Sequence, residues 1–257
     1  MVKKYIIMFL IIFLCISFLL SAYTQENKIN EIMEKYKTGI FHIGQLIGSD
    51  ENSDIAWLGS AFLLDDTCTF ATAKHIFKNT NKKNLVIRFR LPDDNTIVLT
   101  LPIRILYEDF KSDLAFLKID SVNNQPCKSK INYSFNIPSD YVKGSLTGET
   151  VLVIGHPILS IIKDDIDIPV VRKGIISSTE ITWSSQPMIL LDLFGVPGFS
   201  GSPVILESTG EVIGIIYGPG PTERSFGFEW ATPITQEDYL SAIDASSTSA
   251  EENGKRK

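Results

Sequence analysis

Gly198-Phe199-Ser200-Gly201-Ser202-Pro203 sets a serine between two glycines, with a proline two residues beyond. Glycine reaches backbone conformations that let consecutive N–H groups aim at one point. Two such donors beside a serine hydroxyl make an oxyanion hole next to a nucleophile, the core of acyl-transfer chemistry. A Gly/Ser surface turn would read the same way. The distinction rests on whether a base and an acid stand where that serine needs them.

The chain has three histidines. His75 ends the β-prone run Thr67-Cys68-Thr69-Phe70-Ala71-Thr72-Ala73-Lys74, behind a second strand at Trp57–Leu64 and an Asp65-Asp66 turn. His42 lies in the alternating strand Ile40-Phe41-His42-Ile43 and reads as an ordinary strand residue. His156, between Gly155 and Pro157, reads as a turn position. Asp113 opens the apolar strand Leu114-Ala115-Phe116-Leu117-Lys118-Ile119 as a lone carboxylate. Taken singly, His75 and Asp113 each also fit an ordinary strand-end position.

Short strands separated by turn signals fill the rest, the pattern of an all-β barrel protein. A first block covers about 38–120, including Leu85–Arg90, a turn at Pro92-Asp93-Asp94-Asn95, and Thr96–Leu101. A polar connection follows over 121–148, and a second block over about 149–231. Thr235-Gln236-Glu237-Asp238 reads as a capping box for a short helix over 235–243, and 244–257 has the composition of a disordered tail.

The order His75, Asp113, Ser200 resembles the chymotrypsin-fold (trypsin-like) serine proteases, and most nearly the Deg-type (HtrA-like) bacterial protease domain. Gly59-Ser60-Ala61-Phe62 is similar to their G-S/T-G-F, Thr72-Ala73-Lys74-His75 to T-x-A-H, and Asp113–Lys118 to D-L-A-L-L-K. Val153–Pro157 is similar to A-I-G-N-P, Lys173–Ser177 to V-G-I-V-S, and Asp192–Pro203 to the stretch that carries the nucleophile. The resemblance implies two six-stranded antiparallel β-barrels within residues 36–243, and a serine endopeptidase without cofactor or metal acting on polypeptides. It implies Ser200 as nucleophile, His75 as general base, Asp113 as its orienting acid, and the N–H groups of Gly198 and Ser200 as the oxyanion hole.

It also implies that Phe194, six residues before the nucleophile, stands at the base of the pocket for the side chain preceding the scissile bond. Tyr217-Gly218-Pro219 would form one wall. With no carboxylate at that base, small or medium apolar residues are expected there. Departures from the pattern are Lys74 before the histidine and Phe199 before the nucleophile, where the family has a small residue and an Asp or Asn. Phe199 offers no carboxylate to a new N-terminal amine, so order at the site is expected to rest on loop packing, such as that of 158–168. Only 14 residues follow Ile243, so no PDZ domain is expected. The alternative reading is an inactive homologue that binds peptides or partners through the same cleft.

The N-terminus carries Lys3-Lys4, a mostly apolar run and Ser21-Ala22, read as a signal peptide over 1–24 or an anchor through residues 5–22. Either puts the rest outside the cytoplasm: periplasmic, secreted or membrane-anchored. A net charge of −6 argues against a nucleic-acid partner. Cys15 falls in the targeting run, leaving Cys68 and Cys127 open to one disulfide. Two cysteines make no disulfide framework, and without further ligands they make no zinc site.

Overall fold

A computed structural model describes residues 2–48, 54–91, 94–119, 135–141, 144–158, 169–218 and 227–254. It divides into two units, 1–35 and 36–257. The first is the helix α1 (Val2–Tyr36), whose side chains from Met8 to Leu20 are exposed and largely apolar. Among the described residues no helix is long and apolar enough to cross a membrane. The side chains of residues 5–7, 21 and 22, part of the expected run over 5–22, lie outside them.

The second unit contains two closed six-stranded antiparallel barrels, the fold that the sequence order implied. The first is built from β1 (Ile40–Ile47), β2 (Asp54–Leu63), β3 (Thr69–Ala73), β4 (Leu85–Leu91), β5 (Asp94–Glu108) and β6 (Leu114–Ile119), joined in the order β1-β2-β3-β6-β5-β4. The second comprises β7 (Thr150–Gly155), β8 (Val170–Trp183), β9 (Gln186–Asp192), β10 (Pro203–Leu206), β11 (Val212–Gly218) and β12 (Phe228–Pro233), in the order β10-β11-β12-β9-β8-β7. Closure gives every strand a neighbour on each side, although β2 meets β3 only through Phe62 and Leu63. Strands β3 and β10 are buried along their whole length, β10 as a continuous apolar run and β3 with Thr69 and Thr72 buried among apolar residues. The barrels touch through β1 against β7 and β3 against β11.

Two strand junctions set the site. Pairing of Ala73 with Leu114 brings the ends of β3 and β6 together, so Lys74-His75 and Asp113 emerge side by side. The connection from β9 to β10 spans residues 193–202 and carries Ser200, while Phe199 is buried in the core of the second barrel.

Two expectations change. The expected disordered tail from 244 continues the C-terminal helix instead: α2 runs Gln236–Gly254. Ala245, Ala250, Glu251 and Glu252 support a helix and no proline interrupts it before Gly254. The connection 121–148 is not wholly a polar linker, because Phe135 and Ile137 are buried and Phe135 stacks on Tyr36 at 4.4 Å. Cys68 is disulfide-bonded, and Cys127, the partner considered for it, lies outside the described residues.

Candidate active site

The fully buried strand β3 runs into a 3₁₀ turn over Lys74–Phe77 that presents His75. Its Nδ1 lies 2.7 Å from Asp113 Oδ2, and its backbone N–H donates to Asp113 Oδ1 at 2.8 Å. A carboxylate held at both oxygens fixes the imidazole's tautomer and rotation. The histidine side chain is 33% exposed and the aspartate 12%, so one face of the ring stays accessible. Lys74 accounts for its own departure from the family pattern. Its N–H donates to the Asp113 carbonyl at 2.9 Å, and its Nζ donates to the carbonyls of Asp109 and Ser112. The ammonium ties down the turn that delivers Asp113.

The serine turn needs its two glycines. Gly198 has φ +97° and Gly201 +89°, both in the region that favours glycine. A Cβ on Gly201 would stand 2.0 Å from the Ser60 carbonyl oxygen and 2.2 Å from Thr72 Oγ1; on Gly198 it would stand 2.3 Å from the His156 carbonyl oxygen. The turn is thus pressed against β2, β3 and the end of β7. Ser60 secures it: its N–H donates to the Ser200 carbonyl at 2.9 Å, and its Oγ donates to the Gly198 carbonyl at 2.9 Å while accepting the His156 N–H at 2.8 Å.

Around that turn the N–H groups of Phe199, Gly201 and Ser202 donate to the carbonyls of Val196, Ile216 and Phe199. Those of Gly198 and Ser200 have no internal acceptor among the described residues. Two uncommitted donors flanking a serine can hold an oxyanion. Ser200 Oγ itself donates to the Tyr217 carbonyl at 3.5 Å, and the Tyr217 ring lies 5.1 Å from that of His75. No hydrogen bond joins Ser200 Oγ to His75 among the described residues, and such nucleophile–base contacts often tighten only in the substrate complex. Burial, followed by the nearby Asp113 charge, raises the Tyr217 pKa.

The other two histidines are buried, stacked 5.2 Å apart, with His42 also stacked on Trp57 at 3.9 Å. Desolvation lowers His156 to about 4 and, with the charges of His156 and Arg88, lowers His42 to about 3. Both rings are therefore neutral at pH 7. No group of three or more His, Cys, Asp or Glu that could hold a metal occurs among the described residues.

A cavity of about 190 Å³ opens beside Ser200. Phe194 and Gly218 are among its lining residues, and Phe194 is 70% exposed at its border. Tyr217 is not among the lining residues, and Pro219 lies outside the described residues, as does the 158–168 loop beyond Ile158. Glu229, which is only 2% exposed, also lines the cavity, a carboxylate that the expected pocket did not include. Alignment backward from the serine could not find it, because Glu229 arrives on β12 through its pairing with Leu191 of β9. Ser60 and Lys74 were also missed as holding groups. The signal in each case was a polar residue inside an apolar strand or beside the histidine.

Residues 59–215, more than half of the chain, match the family described as trypsin-like peptidase domain, a span that includes His75, Asp113 and Ser200. No curated protein matches the sequence.

Proposed function

As the chain belongs to the trypsin-like peptidase domain family, we propose that it is an active serine endopeptidase using Ser200, His75 and Asp113. Ser200 Oγ attacks the scissile carbonyl carbon while His75 Nε2 takes the hydroxyl proton. The carbonyl π electrons move onto oxygen, where the N–H groups of Gly198 and Ser200 receive them. The intermediate collapses by breaking the C–N bond, and His75 gives its proton to the departing amine. Water, giving a proton to the same imidazole, then attacks the acyl carbon. The second intermediate collapses by breaking the C–Oγ bond, His75 returns the proton to Ser200 Oγ, and the acid is released. Asp113 stabilises the imidazolium in both halves without itself taking a proton.

The observation that supports this reading most is the pairing of a carboxylate-held histidine with a serine turn whose two flanking N–H groups are uncommitted. The full-length chain in detergent should hydrolyse an unfolded protein such as reduced casein. His75→Ala and Ser200→Ala should each remove nearly all of that activity, and the double variant should be scarcely worse, because the two act as a unit. Additive losses would mean that these roles are misassigned. Hydrolysis of esters alone would instead indicate an esterase or acyltransferase.

The contact from Ser200 Oγ to the Tyr217 carbonyl favours one competing reading, an inactive homologue that uses the cleft to bind peptides. Peptide binding without hydrolysis in the same assay would select it. We also propose an extracytoplasmic location, with the N-terminal segment as signal or anchor. Lys3-Lys4 ahead of the apolar run and the disulfide at Cys68 support it. Expressed in a bacterial host, the barrels should be digested by protease added outside the inner membrane, and full protection there would count against export.

A further inference from the structure

The turn that delivers Asp113, residues 109–113 between β5 and β6, is built from inside by one carboxylate. Asp109 Oδ1 accepts the Lys111 N–H at 3.2 Å, and Oδ2 accepts the Ser112 N–H at 2.8 Å and the Ser112 hydroxyl. The Asp109 N–H closes the loop onto the Leu114 carbonyl at 3.0 Å. From outside, the half-buried Lys74 donates its ammonium to the carbonyls of Asp109 and Ser112, the second at 2.6 Å. The N–H groups of Lys74 and His75 bond Asp113 itself, at its carbonyl and at Oδ1. Two consecutive residues thus grip the turn at positions 109, 112 and 113. Charge converges here too. Burial raises the Asp109 carboxyl, but the Ser112 hydroxyl, the two N–H groups and the Lys74 charge together hold it below its usual range. Asp238 at the start of α2 lies close enough for Asp109, after burial, to help raise its own carboxyl. Lys111, the other cation of the turn, places its ammonium over the exposed Phe110 ring.

A general base works only while the group that orients it keeps its place. Asp113 takes that place from the turn rather than from a strand, since the pairing of β6 with β3 begins one residue later, at Leu114 with Ala73. We propose that Lys74 is a positioning residue of the catalytic step: its ammonium draws the carbonyls of Asp109 and Ser112 together and so sets the Asp113 carboxylate against His75. The inference rests on the peptidase reading above and adds a residue to its machinery. A charged donor suits this task, because charge-assisted hydrogen bonds are shorter and roughly twice as strong as neutral ones. Arginine keeps both the charge and the donors. Methionine keeps much of the length but leaves two carbonyls without this donor. Acting through Asp113, Lys74 governs the chemical step rather than the binding of substrate.

The test uses the full-length chain in detergent, at a temperature where circular dichroism shows each variant folded. Lys74→Met should lower kcat on reduced casein by roughly 100-fold, the loss expected when a reacting group is misplaced by about 1 Å. KM should stay within a few-fold, and Lys74→Arg should recover most of the loss. The far-downfield proton resonance of His75 Nδ1–H, which reports the bond to Asp113, should shift or vanish in Lys74→Met and persist in Lys74→Arg. A double-mutant cycle reads the route: on an Asp113→Asn background, Lys74→Met should cost scarcely anything more. Should Lys74→Met fail to fold, Lys74→Gln, shorter and uncharged, takes its place with the same direction of effect. A residue that only stabilised the fold would lower stability in urea and leave kcat and the resonance of the folded chain unchanged. That outcome, a Lys74→Arg as slow as Lys74→Met, or an undiminished loss on top of Asp113→Asn would overturn the proposal. In those cases the wild type still cleaves casein and the peptidase reading stands. Absence of cleavage and of fluorophosphonate labelling in the wild type would remove that reading, and this inference with it.

Discussion

Ser60 links the barrels with one hydroxyl, donating to Gly198 and accepting from His156. Ser60→Ala leaves a buried carbonyl and a buried N–H without partners. It should destabilise the protein by about 1–3 kcal/mol in urea unfolding and lower kcat more than it raises KM. Glu229 predicts an opposite effect. Its folded-state pKa of about 7 lies above the ordinary 4.5, so its contribution to stability is full below pH 4.5 and is lost as the pH rises through 7. Glu229→Gln should therefore stabilise the fold at pH 8 by up to about 3 kcal/mol, with little change at pH 4. An unchanged difference between those two pH values would mean that the carboxylate is paired. Ser200, His75 and Asp113 were legible as candidates because each sits in a local motif. Glu229 was not, because only the closure of the second barrel carries it to the serine.

At the scale of elements, the contact of β1 with β7 brings His42 against His156, the residue after β7, and both rings are buried. Both folded-state pKa values lie below the ordinary 6.5, so the stability tied to neutral rings is full above about pH 6.5 and is lost as the pH falls toward 4. Among the described residues His42 Nε2 has no hydrogen-bond partner, so a phenylalanine ring can replace the imidazole and keep the stack on Trp57. His42→Phe should retain roughly 2 kcal/mol more stability at pH 4.5 than the wild type does, relative to their difference at pH 7. Circular dichroism across an acid titration reads this, and parallel curves would contradict it. The cap of α2 was legible in full: Thr235 Oγ1 and N–H both donate to Asp238 Oδ2 at 2.8 Å. Thr235→Ala should cost about 1 kcal/mol. The helix's far end was not legible, because Ser/Ala/Glu composition is shared by helices and disordered tails.

Across the whole molecule, the first barrel supplies a held histidine and the second a serine turn, and the order of motifs already implied that division. Neither the clamp at Ser60 nor the chemistry of the cavity could be read the same way, since both arise where strands distant in sequence converge. Phe199 gives a further consequence at this scale. Its ring is 2% exposed within the core of the second barrel and lies under Arg172, with 5.8 Å from the guanidinium carbon to the ring centroid. The turn is therefore ordered by packing and offers no carboxylate to a newly made amine. Activity should not require one defined N-terminal cut, and chains with several different N-termini should have kcat/KM within a few-fold of one another. The central claim, that Ser200 is a nucleophile activated by His75, is tested most directly by reacting the folded full-length chain with a fluorophosphonate and locating the adduct by mass spectrometry. The account predicts one adduct per chain, on Ser200, absent from Ser200→Ala and formed roughly 100-fold or more slowly in His75→Ala. No adduct on folded protein, or an adduct that persists in Ser200→Ala, would contradict it.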